Sequence, residues 1–223
     1  NTVTQNQTAE WQVRVEVENS GQADVRLTSD ALLLTDAIGY IIQGPSGLVS
    51  GSDTLRGETV DTLLYRVTQT GSGVGDNLLN SQIFGLELNR SLAMEDSTTA
   101  ANGNQATVTV QSPANFQINS TVASAPNAPF VNVRDTFQVH VELTNLGQES
   151  VSNLNVSLAT DGESQILAPL QNISALSSIA PDTAKFLIVA DSNVVAAETF
   201  TADFVSGTSA NTGLALTPNP DVD

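Results

Sequence analysis

The chain has 223 residues, 24 Asp and Glu against 7 Lys and Arg, a formal net charge of −17 and a pI near 4.1. So large an acidic excess makes nucleic acid and anionic membrane poor partners. The absence of cysteine removes a disulfide framework, a thiolate metal site and a cysteine nucleophile, and no apolar run approaches the roughly eighteen residues of a membrane-spanning helix.

The first strong signal is the run WQVRVEVEN, in which Trp11, Val13, Val15 and Val17 alternate with Gln12, Arg14, Glu16 and Glu18. Period-2 alternation over this length predicts a half-buried strand. The run ends in Asn19-Ser20-Gly21-Gln22, and Gly21 is expected to supply the positive φ of a tight reversal into a strand over Ala23–Leu27. Ser29–Gly39 is the one segment with a helical alternative, and Gly39 with the β-branched residues after it favours strand. Gly44–Gly57, rich in glycine and serine, reads as an exposed loop. Asp61-Thr62 then precedes the apolar run Leu63–Val67, and the stretch Gln105–Gln111, with Val108 and Val110 between threonines, predicts a further strand.

Past Ser112-Pro113 the same features return in the same order. Asn115–Ser124 reads as a strand, and FQVHVELTN follows with Phe137, Val139, Val141 and Leu143 in the places of Trp11, Val13, Val15 and Val17. Asn145-Leu146-Gly147-Gln148 repeats the turn, with Gly147 again expected at positive φ, and Val151–Leu158 is the next strand. Asp182-Thr183 leads into Phe186–Val189, and Asn211 with Leu214, Ala215 and Leu216 matches Asn89 with Leu92, Ala93 and Met94. Matched elements in one order predict an all-β chain of two tandem Ig-like β-sandwich domains, residues 1–112 and 113–223.

The copies differ at their ends. The first begins too near Trp11 to hold more than a trace of the strand that Asn115–Ser124 forms in the second, and the counterpart of Gln105–Gln111 in the second would fall beyond Asp223. The first copy is therefore expected to lack its first strand and the second its last. Three accounts follow: an excerpt from a longer array of modules, a filament subunit whose neighbour supplies the strand, or a shorter second module closed by its own tail Leu214–Asp223. The start at Asn1 rather than Met points to a processed product or an excerpt.

The segments TFQVHVELTNLGQESVSNLNVSL and WQVRVEVENSGQADVRL resemble the CARDB-type and related Ig-like repeats of bacterial and archaeal surface proteins. That resemblance implies stalk, adhesin or surface-layer modules, and it carries over no catalytic or binding residues. Leu32–Gly57 fits the pattern less well. A Cys-free, acidic, Ser/Thr-rich chain with a single lysine, Lys185, agrees with export to the cell surface of a prokaryote.

Chemistry-bearing residues are few. The only histidine, His140, falls on the polar phase of its strand beside Gln138 and Glu142, which leaves a serine triad or imidazole metal site without support. A glycosidase needs two carboxylates beside aromatic platforms, but Phe, Tyr and Trp number only 7, 2 and 1, and Trp11 sits at a core phase. The expectation is therefore that the chain is not an enzyme and holds no cofactor. Calcium, which needs only oxygen donors, is the credible ion. Its weak candidates are Asp161 with Glu163, Asp191 with Asn193, Asp221 with Asp223, and Glu95 with Asp96, none at EF-hand spacing. Sequons at Asn6, Asn89, Asn119, Asn155 and Asn172 could carry attached glycans, although a chain this rich in Asn, Ser and Thr would contain nearly as many by chance. The function expected is a non-enzymatic structural module of an extracellular fibre, stalk, adhesin or surface layer, partnered by β-strand addition with neighbouring copies. The alternative is a glycan- or protein-binding accessory module using the loop Gly44–Gly57.

Overall fold

A computed structural model describes the chain except for residues 1, 8, 35–38, 70, 72, 99–103, 126–129, 179, 192–196 and 218–223. It is all-β, with no helix among the described residues. The chain divides into two compact units, Asn1–Gln111 and Ser112–Asp223.

The first unit contains β1 (Thr2–Thr4), β2 (Trp11–Asn19), β3 (Val25–Leu34), β4 (Tyr40–Gln43), β5 (Thr54–Leu55), β6 (Thr59–Gln69), β7 (Gly75–Glu87), β8 (Leu92–Ser97) and β9 (Ala106–Gln111). One sheet has the order β1-β9-β7-β3-β5, with β8 also on β7, and the other has the order β2-β6-β4. Both sheets give side chains to one core: Val15, Leu63, Tyr65 and Val67 from the smaller meet Leu32, Leu34, Leu79, Val108 and Val110 from the larger. Burying these inward-facing chains drives the two sheets together, at about 1.5–3 kcal/mol for each large aliphatic side chain removed from water.

The second unit contains β10 (Phe116–Ser124), β11 (Thr136–Asn145), β12 (Val151–Thr160), β13 (Gln165–Ile166), β14 (Leu170–Leu176), β15 (Asp182–Val189) and β16 (Phe200–Ser209). Its sheets are β10-β11-β15-β13 and β14-β12-β16. Val139, Val141, Phe186 and Ile188 from the first sheet pack with Val151, Leu154 and Val156 from the second, all at 0% exposure. Pairing registers run in parallel through the two units. Trp11 lies opposite Val67 as Phe137 lies opposite Ile188, and Val25 opposite Glu87 as Val151 lies opposite Ser209.

Two expectations are corrected. Neither Gly21 nor Gly147 has positive φ. The reversal is made instead by the asparagine two residues earlier, whose Oδ1 accepts from the glycine N–H at 3.1 Å (Asn19 to Gly21) and 3.0 Å (Asn145 to Gly147). Its Nδ2 donates onward to Ala23 O at 2.8 Å and Glu149 O at 2.7 Å. In each unit this turn carries the chain from one sheet to the other. Second, the stretch Gly44–Gly57 is pinned rather than wholly exposed: Leu48 (3% exposed) bridges Leu63, and Leu55 (4%) lies in β5 against β3. The start of the chain holds a short strand, β1, parallel to β9 and anchored by buried Val3 and Thr4, in the sheet that faces β2 rather than beside β2. Three residues are too few for alternation to reveal.

Candidate functional site

The residues proposed for calcium are engaged locally. Asp161 Oδ1 accepts from Thr199 N at 2.7 Å, and this backbone hydrogen bond holds the carboxyl below the usual range. The amides of Glu163 and Ser164 donate to Glu198 Oε1 at 3.0 and 3.2 Å, so Glu198 closes the turn between β12 and β13. Asp191 receives Arg134 N on its own carbonyl at 3.3 Å. Glu95 accepts from Gln82 Nε2 at 2.6 Å, and Asp96 from Ser97 N at 2.8 Å. Asn193, Asp221 and Asp223 lie outside the described residues. Among the described residues no three His, Cys, Asp or Glu side chains come together as a metal cluster. His140 is half-buried on the outer phase of β11, with Nε2 2.9 Å from Gln138 Oε1 and Lys185 opposite it.

Buried polar groups are similarly structural. Tyr65 donates to Asp30 Oδ1 at 2.8 Å, and its phenol is pushed up by burial and then by the adjacent Asp30. Glu149, 1% exposed, accepts on Oε1 from Asn211 N and Thr212 N, both at 2.8 Å, and ties the turn after β16 to the start of β12.

The feature with binding geometry is the outer edge of β2. It pairs along its full nine residues with β6 in continuous register, without a bulge, and no other described strand lies on its far side. A long edge without proline or bulge offers unpaired backbone groups for strand pairing. Next to it a groove of about 320 Å³ opens between the sheets, with Val13 and Val15 on one wall and Leu32, Leu79 and Ala106 on the other. Burial along the strand reflects this opening, since Trp11, Val13 and Val17 are only half-buried.

The corresponding edge in the second unit is occupied. There β10 pairs antiparallel with β11, Phe116 opposite Asn145 and Ile118 opposite Leu143. Phe116 reaches the facing sheet, its ring 4.7 Å from that of Phe204. Under this cover Phe137, Val139, Val141 and Leu143 are 7%, 0%, 0% and 0% exposed. The converse holds at the other end. In the first unit β7 pairs with β9 over Gly75–Leu79 and with β8 beyond it. Among the described residues of the second, Leu214–Leu216 folds along the end of β16, through Ser209 N to Leu214 O (2.8 Å) and Leu216 N to Gly207 O (3.0 Å). Along Phe200–Ser206 no described strand lies on that side.

Residues Asn19, Gly21 and Gln22 adjoin this edge, and their sequence pattern indicated only a turn. The signal was the repeated Asn-x-Gly-Gln motif, which has Ser112–Asn115 packed on it in the second unit alone.

No protein-family description and no curated protein matches the chain. Solved structures that the chain matches weakly include a secreted serine protease VesC from Vibrio cholerae, 9% identical with a TM-score of 0.32, matched over 92% of this chain and 49% of that one. The chain thus spans about half that protein's length. The YadV chaperone is 13% identical with a TM-score of 0.28, covering 96% of this chain and 92% of its own. The CupB2 chaperone from Pseudomonas aeruginosa is 11% identical with a TM-score of 0.25, covering 92% and 89%. Similarity this low carries no argument about function, which rests on the chain's own residues.

Proposed function

We propose that the chain is a non-enzymatic structural part of an extracellular assembly such as a fibre, stalk, adhesin or surface layer. Its two units are tandem Ig-like modules, and they join further modules of the same kind by strand addition. The observation that supports this reading most directly is the pair of complementary open edges. Among the described residues β2 has no counterpart of β10 on its outer side, and β16 has none of β9, although each of those strands exists in the other unit. A module whose edge is completed from outside is suited to building a continuous array. The acidic surface, −17 in all, keeps such modules soluble and prevents indiscriminate edge pairing through like-charge repulsion.

The test is immunogold labelling of intact source cells with antibodies against the folded chain. Label on external fibres or the cell envelope is expected. Label confined to the cytoplasm would refute the extracellular role.

A further inference from the structure

The filled edge of the second unit specifies what would fill the open edge of the first. In the second unit the segment Ser112–Ser124 engages the turn before it pairs with β11. Ser112 N donates to Gln148 Oε1 at 3.1 Å, Gln148 N donates to Ser112 Oγ at 3.0 Å, and Glu149 N donates to Ser112 O at 3.0 Å. The Pro113 backbone then crosses Gly147 so closely that a Cβ there would lie 1.9 Å from Pro113 O. Asn115 N donates to Asn145 Oδ1 at 3.1 Å, and Asn115 O accepts from Leu146 N at 2.6 Å. Gly147 is therefore glycine because another backbone passes over it.

The first unit carries the same receiving groups. Asn19 Oδ1 already accepts from Gly21 N, as Asn145 Oδ1 does from Gly147 N, and an amide oxygen has a second lone pair for another donor. Gly21 is exposed, lacks positive φ, and a Cβ on it would meet only Asn19 Oδ1, at 3.3 Å. Within the first unit a Cβ at Gly21 would press only on the Asn19 side chain, and Glu58 N binds Gly21 O at 2.8 Å on another side, so no backbone crosses Gly21 as Pro113 crosses Gly147. Gln22 stands where Gln148 binds Ser112, and β2 presents the edge that β11 presents to β10. The outer phase adds a charge preference: Asn119 Nδ2 of β10 donates to Glu142 and Thr144, whose counterparts on β2 are Glu16 and Glu18. An amide or cationic side chain on the incoming strand fits these two carboxylates.

We propose that the β2 edge receives an extended segment of the Ser112–Ser124 type, supplied by a further module. Its backbone crosses Gly21, an amide bonds Asn19 Oδ1, and the strand runs antiparallel to β2. The register follows that of β10 on β11: the residue like Phe116 faces Asn19, the one like Ile118 faces Val17, and those like Thr121 to Ala123 face Val15 to Val13 beside the groove. The inference rests on the strand-addition reading above and names the partner and its register.

Trp11, the only tryptophan, lies at the far end of this edge and reports on it. The experiment titrates a synthetic peptide of the sequence Ser112–Ser124 into the full 223-residue chain and follows Trp11 emission. A saturable blue shift is expected, weakened at least about tenfold by Gly21→Val in the chain and by Phe116→Asp with Ile118→Asp in the peptide. The peptide variant leaves the chain unchanged, so a misfolded Gly21→Val protein would not obscure the answer. No saturable shift, or a shift that both sets of substitutions leave undiminished, would overturn the proposal. Self-association of the chain through β2 that the peptide fails to compete would also overturn it, because a second copy would then be the occupant. Failure here with external labelling intact rejects the strand acceptor alone, and cytoplasmic labelling with peptide binding intact rejects the extracellular role alone.

Discussion

β2 and β11 are the same strand built twice, one with its outer edge open and one with it closed. Both alternate apolar and polar residues, both pair with a strand that contains Asp-Thr (Asp61-Thr62 in β6, Asp182-Thr183 in β15), and both end in an asparagine that folds the next turn. Yet Val139 and Leu143 are 0% exposed, whereas their counterparts Val13 and Val17 are half-buried. Residue type does not cause the difference, since valine occupies both Val13 and Val139. The cause is the strand β10, which covers one edge and has no described counterpart at the other. Burial is thus a property of the neighbour that a strand acquires, and an edge with apolar inward residues already in place is prepared for one.

The largest expected effect is at the two turn glycines. Gly147→Ala places a methyl 1.9 Å from Pro113 O and 2.8 Å from Pro113 C, so β10 or the turn must move. We expect a loss of about 3 kcal/mol or more, against about 1 kcal/mol or less for Gly21→Ala. Urea unfolding separates them because Trp11, Tyr40 and Tyr65 all lie in the first unit: fluorescence follows that unit, and far-ultraviolet circular dichroism follows both. Equal losses would mean that Gly21 is already covered.

Next in size is the paired truncation of Val139 and Val13. Val139→Ala should cost about 2 kcal/mol through lost burial and a cavity, and Val13→Ala about half of that. Bound peptide should bring the second value toward the first, which thermal unfolding with and without peptide measures. Glu149→Ala removes the acceptor of two backbone N–H groups in the turn after β16, where the first unit has Ala23 at the corresponding place. A loss of about 1–3 kcal/mol confined to the second unit is expected, because its partners would be left unpaired.

Acid should act weakly on both units. Asp161 is held below its ordinary pKa mainly by Thr199 N–H, and Asp61 mainly by the Ser50 side chain and then by Thr62 N–H. A depressed folded pKa gives stability that is fully present above the unfolded value of 3.8 and lost as pH falls through the lower folded value. Asp161 is exposed and Asp61 only half-buried, so the effect is small. Asp161→Asn should lower the melting temperature slightly at neutral pH and flatten its decline below pH 4, so that the difference from the parent chain disappears in acid.

The alternation in β2 and β11 made those strands legible, because half-buried strands in a two-sheet core must present apolar residues at every second position. Other parts were hidden for identifiable reasons. In β7 the inward phase includes Asn77 and Ser81, which are 4% and 3% exposed, so polar residues break the apolar alternation. Leu48 and Leu55 were concealed in a glycine-rich stretch although both enter the core. The turn glycines were visible, but glycine serves either positive φ or close backbone approach, and only the position of Pro113 shows which applies at Gly147. The repeated Asn-x-Gly-Gln motif was readable as a turn, whereas the close backbone crossing at Gly147 was not.

Hydrogen exchange on the isolated chain, resolved to single amides along β2 and β11, tests the central comparison most directly. Amides of β11 should be protected on both edges, whereas on β2 those facing away from β6 should exchange orders of magnitude faster and slow only when the Ser112–Ser124 peptide is added. Uniform protection of β2 equal to that of β11 in the absence of peptide would contradict the account.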